Sequence, residues 1–369
     1  MEGSRRPSIF FAFRDAPERR SALAQPPGAP ERYRLFGLDE LEARGARISH
    51  NLERPGPPPL WAGAVGGVVN GVLYRLGGYG GDFASVLGSL RAVNSADVVF
   101  STVDTVGIPL LLLKRAGIVR TPLVYTAIGL PERLVQLRGT RMRRLYVRAL
   151  SGARAIVSYA ESEVAWLRDW LGSDQPPVLF VPFGVDTKAF QPTRAREPDV
   201  DVVSVGADPR RDFELLLRVA ARRPELTFRI VASGDRARTL RNLPANVTLE
   251  TDIPLEQVHD RLAGARVVAL PVRDNSYSGA TTTLLQAMAM GKPVVVSRTD
   301  AIAKGYGLVD GVNCRLVDPG DEGALERAVV ETLTGADAAH YLGTRARETV
   351  ERSLTWERYT NALWTLLSA

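Results

Sequence analysis

The stretch SYSGATTTLLQAMAMGKPVVV, residues 276–296, restricts the fold more than any other part of this 369-residue chain. It reads as a glycine-bearing loop, a short apolar helix and a buried strand in direct succession. Gly279 lets the backbone approach a neighbour closely and admits positive φ, and Thr281, Thr282 and Thr283 are suited to capping a helix that Leu284 begins. Such a helix start offers unpaired N–H groups and the positive end of a dipole, and so an anion site. Gly291 is placed to stop the helix, Pro293 follows, and Val294, Val295 and Val296 make the unbroken apolar run of a strand covered on both faces. The architecture implied is an open parallel sheet with phosphate held at a loop and helix terminus.

The rest of the chain alternates in the same way. In the first half the patterns predict strands at 8–13, 97–101, 122–126, 155–159 and 178–181, with helices at 38–44, 107–116 and 161–171. In the second half strands fall at 200–206, 227–232, 247–250, 267–271, 293–297 and 314–317, with a helix at 213–221 whose Phe213, Leu216, Leu217 and Ala220 recur at helical spacing. The polar segment 191–199, with Pro192 and Pro198, makes the best linker. The fold class is therefore α/β, with two tandem Rossmann-like domains at 1–190 and 191–353. In the remaining segment, 354–369, Trp356, Tyr359, Leu363, Trp364 and Leu367 form a helical apolar stripe.

Four motifs, in register, resemble one family. Leu285 to Val295 is similar to the L-E-A-M-A-x-G-x-P-V-V block of retaining, nucleotide-sugar-dependent glycosyltransferases of the GT-B fold, family 4 or group 1 type. Val181, Pro182, Phe183, Gly184, Val185, Asp186 and Phe190 resemble its V-P-N-G-V-D-x-x-x-F signature, with Phe183 in place of the usual asparagine. Val205, Gly206, Arg211 and Asp212 resemble its V-G…K-D segment, and Leu354, Thr355, Trp356 and Glu357 its closing F-S-W-E. The resemblance covers about residues 155–369. It implies that the C-terminal helix crosses back to the first domain, that the second domain binds a nucleoside-diphosphate sugar, and that the first takes a hydroxyl acceptor. It also implies transfer with retention through a front-face mechanism, in which the departing phosphate helps take the acceptor's proton, and a setting in cell-surface polysaccharide or glycolipid synthesis.

A diphosphate leaving group gains negative charge as the glycosidic bond breaks, so its site needs fixed positive charge and backbone donors. Arg210 and Arg211 follow the first strand of the second domain, and Arg211 aligns with the family's lysine, which makes it the candidate catalytic residue. Gly206, Arg210, Arg211, Ser278, Gly279, Ala280, Thr281, Thr282 and Gln286 are the candidate donor-binding set. Ser278 and Gln286 stand where the family carries two glutamates, and Ala207 where it carries a companion arginine. Those departures bear on donor identity and on activity, and keep a non-catalytic nucleotide-sugar-binding subunit, or an epimerase on the same sheet pair, as rival readings. On the acceptor side Asp104 and Glu132 lie just after strands, and Asp82 closes a glycine run (Gly77, Gly78, Gly80, Gly81) that reads as a flexible loop. Capping roles compete for Asp104 and Glu132. His50, His259 and His340 have no partner motif.

No cofactor and no metal is expected: the Asp199–Val200–Asp201 triplet runs straight into a strand. The single cysteine, Cys314, excludes an intrachain disulfide and fits a reducing compartment. Charges scattered through the first twenty residues give no secretory leader pattern, so a cytoplasmic protein is expected. The net charge is +6, but the arginines lack any helix-turn-helix, zinc or ribonucleoprotein pattern, which argues against nucleic acid. Arg138, Arg141, Arg143, Arg144 and Arg148 alternate with Met142, Leu145, Val147 and Leu150, and residues 60–74 form an apolar helix pattern. A solvated, loosely packed first domain and a peripheral contact with the inner membrane face, for a lipid-linked acceptor, both satisfy these features.

Overall fold

The structure, a computed structural model, describes residues 6–53, 56–173, 175–192, 197–277 and 279–368. It divides into two compact units: Met1–Val181 with Thr360–Ala369, and Pro182–Tyr359. Each is built on a six-stranded parallel sheet.

In the first unit the strands are β1 Ser8–Ala12, β2 Arg47–His50, β3 Val98–Ser101, β4 Leu123–Ala127, β5 Ala155–Ser158 and β6 Val178–Phe180, in the order β2-β1-β3-β4-β5-β6. The chain steps from β1 outward to β2 and then returns to the other side of β1, so the winding reverses between β1 and β3. β3, β4 and β5 are buried along their whole length, as their unbroken apolar runs require. β2, Arg-Ile-Ser-His, carries no such run and is absent from the sequence expectations. It is an edge strand with an exposed first residue, paired only with β1. The final helix, Trp356–Ser368, contributes its second half to this unit, where the Thr360 methyl lies against Gly37 and the Arg44 guanidinium stands 6.0 Å from the Trp364 ring centroid.

The second unit contains β7 Val200–Gly206, β8 Phe228–Ala232, β9 Val247–Thr251, β10 Ala265–Leu270, β11 Val294–Ser297 and β12 Arg315–Val317, in the order β12-β11-β10-β7-β8-β9. This is the doubly wound order, and its winding reverses between β7 and β10. Val294, Val295 and Val296 are wholly buried. The helix Thr281–Ala289 ends with Gly291 at φ 68°, a left-handed stop that glycine adopts without a Cβ clash. Two of the four motifs meet here. Val185 N–H donates to Leu354 O at 3.0 Å, Trp356 N–H donates to Val185 O at 2.9 Å, and a Cβ on Gly184 would lie 2.5 Å from Thr355 O. Phe183 packs edge-on to Trp356, with ring centroids 5.5 Å apart. Asp201 and Asp199 are held by Thr227, Arg266 and Arg229, so the acidic triplet anchors strand ends.

Candidate nucleotide-sugar site

Open α/β sheets bind ligands outside the strand ends where the winding reverses. In the second unit that position lies beyond Gly206 of β7 and Leu270 of β10, and the two loops that leave those strands are tied together. Arg211 and Val272 form an antiparallel bridge, Asp212 N–H donates to Pro271 O at 2.9 Å, and Arg273 N–H donates to Arg210 O at 2.8 Å.

Arg211 is the largest fully buried side chain among the described residues, 1% exposed. Its Nη2 donates to Ser204 Oγ at 2.9 Å, and its guanidinium carbon sits 5.5 Å from the Phe213 ring centroid. Its Nε and Nη1 are buried without a hydrogen-bond partner. Burial lowers its pKa to about 10, with Asp208 acting in the opposite direction, so it stays charged at neutral pH. A Cβ at Gly206 would lie 2.7 Å from Arg211 Nε, which is why glycine stands at that strand end. A guanidinium buried with two unmet donor positions is costly unless an anion completes it.

Asp208 braces the facing loop. Its Oδ1 accepts from Arg210 N–H at 2.7 Å and from the Tyr277 hydroxyl at 2.9 Å, and burial raises its pKa. Gly279 lies against the same carboxyl, where a Cβ would come within 3.1 Å, so the expected close backbone approach is present. The helix that follows starts at Thr281, earlier than Leu284, and its N-cap, Ala280, has no side-chain capping bond. The threonines therefore do not cap it but occupy its first turn, and among the described residues no side-chain cap is seen at its terminal N–H groups. Thr281 Oγ1 is buried and unpartnered, Thr282 is half-buried, and Gln286 is buried further along the helix. Ser278 lies outside the described residues.

In the first unit Asp82 caps the helix Phe83–Gly88, accepting from Ser85 N–H at 2.8 Å. The glycines before it are packed, not loose: added Cβ atoms would meet Arg138 at Gly77, Met142 at Gly78, Asn70 at Gly80 and Thr105 O at Gly81. Asp104 is buried just beyond β3, near the winding reversal. It accepts from the Tyr125 hydroxyl and from Ile128 N–H at 3.4 Å, with Arg133 Nε 3.9 Å away, and burial lifts its pKa to about 6. Glu132 is half-buried in the short helix Leu130–Leu134. The structure adds a residue that the sequence does not single out. Glu163 is 2% exposed, accepts from Leu130 N–H at 2.8 Å and sits 2.5 Å from Ser158 Oγ, and burial lifts its pKa to about 8. Its position in an ordinary amphipathic helix gives no signal. Among the described residues no group of three or more His, Cys, Asp or Glu side chains could hold a metal ion.

Residues 199–335 match the family model described as glycosyl transferases group 1. The matched stretch lies within the second unit. It runs from just before β7 to the end of the helix Glu322–Thr334 and contains every candidate donor-binding residue. The chain is 27% identical over 248 residues to the MMP alpha-(1->4)-mannosyltransferase of Mycolicibacterium hassiacum, covering 64% of this chain but only 56% of that protein. Among solved structures, sucrose-phosphate synthase from Thermosynechococcus elongatus superposes with a TM-score of 0.74 at 19% identity, over 98% of both chains. Anabaena HepE, solved with UDP and glucose, gives 0.70 at 16% identity over 98% of this chain and 99% of that one. At those identities the likeness establishes the fold, the GT-B arrangement of two parallel-sheet domains. Within the matched stretch, the buried guanidinium, the helix terminus and the glycine pair converge where the sheet's winding reverses.

Proposed function

We propose that this protein transfers a sugar from a nucleoside diphosphate to a hydroxyl acceptor with retention of configuration. The observation that carries this reading is Arg211: a buried, charged side chain with two unmet donor positions, at the winding reversal within the stretch that matches the group 1 glycosyl transferase model. The relatives point the same way, since one is a mannosyltransferase and another is solved with UDP-glucose.

The donor's diphosphate lies between Arg211 and the N–H groups of the Gly279–Thr282 turn, where charge developing on the leaving group meets fixed donors. Arg210 adds positive charge at the mouth of the loop, and Gln286 hydrogen-bonds the ribose or the sugar hydroxyls. The departing phosphate takes the acceptor's proton on the face it leaves, so no protein base is required. Arginine and backbone amides neutralise the diphosphate, so no metal is required either. The setting is cytoplasmic, with an acceptor from polysaccharide or glycolipid synthesis.

Donor turnover tests this. Incubation with a panel of nucleotide sugars is expected to release sugar slowly to water from one of them, and proton NMR of the transfer product to show the donor's anomeric configuration. Tight donor binding with no release of sugar would overturn the reading in favour of a binding subunit, and an inverted product would overturn the front-face mechanism.

A further inference from the structure

We propose that the first unit carries a docking surface for an anionic membrane leaflet, formed by the outer face of the helix Leu60–Arg75 and the arginine-bearing face of the helix Gly139–Leu150. The first helix buries only Ala62, Gly66 and Leu73. Its outer face is apolar: Leu60 is 94% exposed and Val68 68%, and Trp61, Val65, Val72, Tyr74 and the following Leu76 are exposed too. A solvated helix carries charge on that face, whereas this one has a single charged residue, Arg75, at its end. A continuous exposed apolar strip of this kind marks an interaction surface.

The second helix buries Met142, Tyr146, Ala149 and Leu150 and exposes Arg141, Arg143, Arg144 and Arg148, with Arg138 exposed just before it. Among the described residues no carboxylate pairs with these five arginines, unlike Arg218 and Arg222, which share Glu322. Arg143, Arg144 and Arg148 line a shallow cleft of about 320 Å³ with Thr140, Val147 and Trp170, and the Arg143 guanidinium lies 5.5 Å from the Trp170 ring centroid. The two helices adjoin at one end. Arg138 N–H donates to Gly77 O at 2.8 Å directly after Leu76, the Tyr146 hydroxyl accepts from Tyr79 N–H at 2.9 Å, and those two rings stack 4.9 Å apart.

Charge complementarity selects the occupant. An apolar strip beside unpaired cations matches acyl chains beside anionic headgroups. A self-complementary contact with a second copy would carry the same arginines on both sides. Among the described residues no helix is long and apolar enough to cross a membrane, so the contact is with the leaflet surface.

Vesicle sedimentation tests the proposal. The full chain is expected to pellet with phosphatidylcholine vesicles containing phosphatidylglycerol, and not with phosphatidylcholine alone, with binding that fades as salt rises. Replacing Arg141, Arg143 and Arg144 by glutamine should lower partitioning about fivefold each, the change set by about 1 kcal/mol per basic residue near an anionic leaflet. A second variant, Val68→Asp with Val72→Asp, should lose binding independently, while Arg218→Gln with Arg222→Gln, which lowers net charge elsewhere, should keep it. Folded protein that stays in the supernatant at low salt overturns the proposal. So does equal binding to neutral vesicles, or equal loss in the Arg218/Arg222 variant. Reversible self-association that Val68→Asp abolishes, without vesicle binding, assigns the strip to a second copy instead.

Discussion

Gln286 and Glu163 are both buried polar side chains, and their surroundings give them opposite consequences. Gln286 stands in the first turns of a helix whose terminus faces the proposed donor. Gln286→Leu is therefore expected to weaken donor binding by about 1 kcal/mol, the worth of an ordinary hydrogen bond, with an unchanged or higher melting temperature. Calorimetry alongside a melt separates this from a structural role, in which binding would hold and melting would fall. Glu163 concerns stability. Its carboxyl titrates near 4.5 when unperturbed and near 8 in the fold, because burial penalises the charge. The native state thus holds a proton that the unfolded state has released, and stability falls as pH rises from about 4.5 to about 8. Glu163→Gln keeps the contacts to Leu130 and Ser158 without the charge, so denaturant melts across that window should lose most of their slope. The variant should gain stability at the alkaline end, about 1.4 kcal/mol for each tenfold change in proton affinity that the substitution abolishes. Unaltered slope would show that Glu163 ionises freely.

Strands and helices with a strong apolar period are legible in the sequence, because burial on both faces of a parallel sheet leaves an unbroken run. β2 is not, since an edge strand buries little and its residues are mixed. The helix start at Thr281 is hidden because threonine reads as a cap, whereas here it lies inside the first turn. The glycine run before Asp82 misleads in another way. Glycine signals freedom in a sequence, yet Gly81 is glycine because Thr105 O would lie 2.3 Å from any Cβ. Gly81→Ala should thus destabilise by about 1–3 kcal/mol through overpacking. Gly63→Ala, in a helix with nothing within 4 Å of the new methyl, should stabilise by up to about 1 kcal/mol. Thermal melts of the pair check both signs, and a neutral Gly81→Ala would return the loop to the flexible reading.

The second parallel-sheet unit is legible in four short motifs, two of which hold glycines where a neighbour leaves no room for a Cβ, Gly184 against Thr355 O and Gly206 against the Arg211 side chain, whereas the first unit is legible only in its alternating apolar runs. Asp104, Tyr125 and Glu163 assemble only when separate strands are brought side by side, and no local pattern announces that. The same site chemistry sets the expectation for metals. With Arg211 and helix N–H groups as the neutralising charge, donor turnover should survive EDTA, and complete loss restored by Mg²⁺ or Mn²⁺ would move that role to a cation. Whether Arg211 holds the diphosphate is decided by calorimetric titration of the nucleoside diphosphate of the accepted donor into the wild-type protein and Arg211→Ala. Weakening by about 1.5–3 kcal/mol, the range of a hydrogen bond to a charged group, is the predicted result. Equal affinity in the two proteins would contradict it.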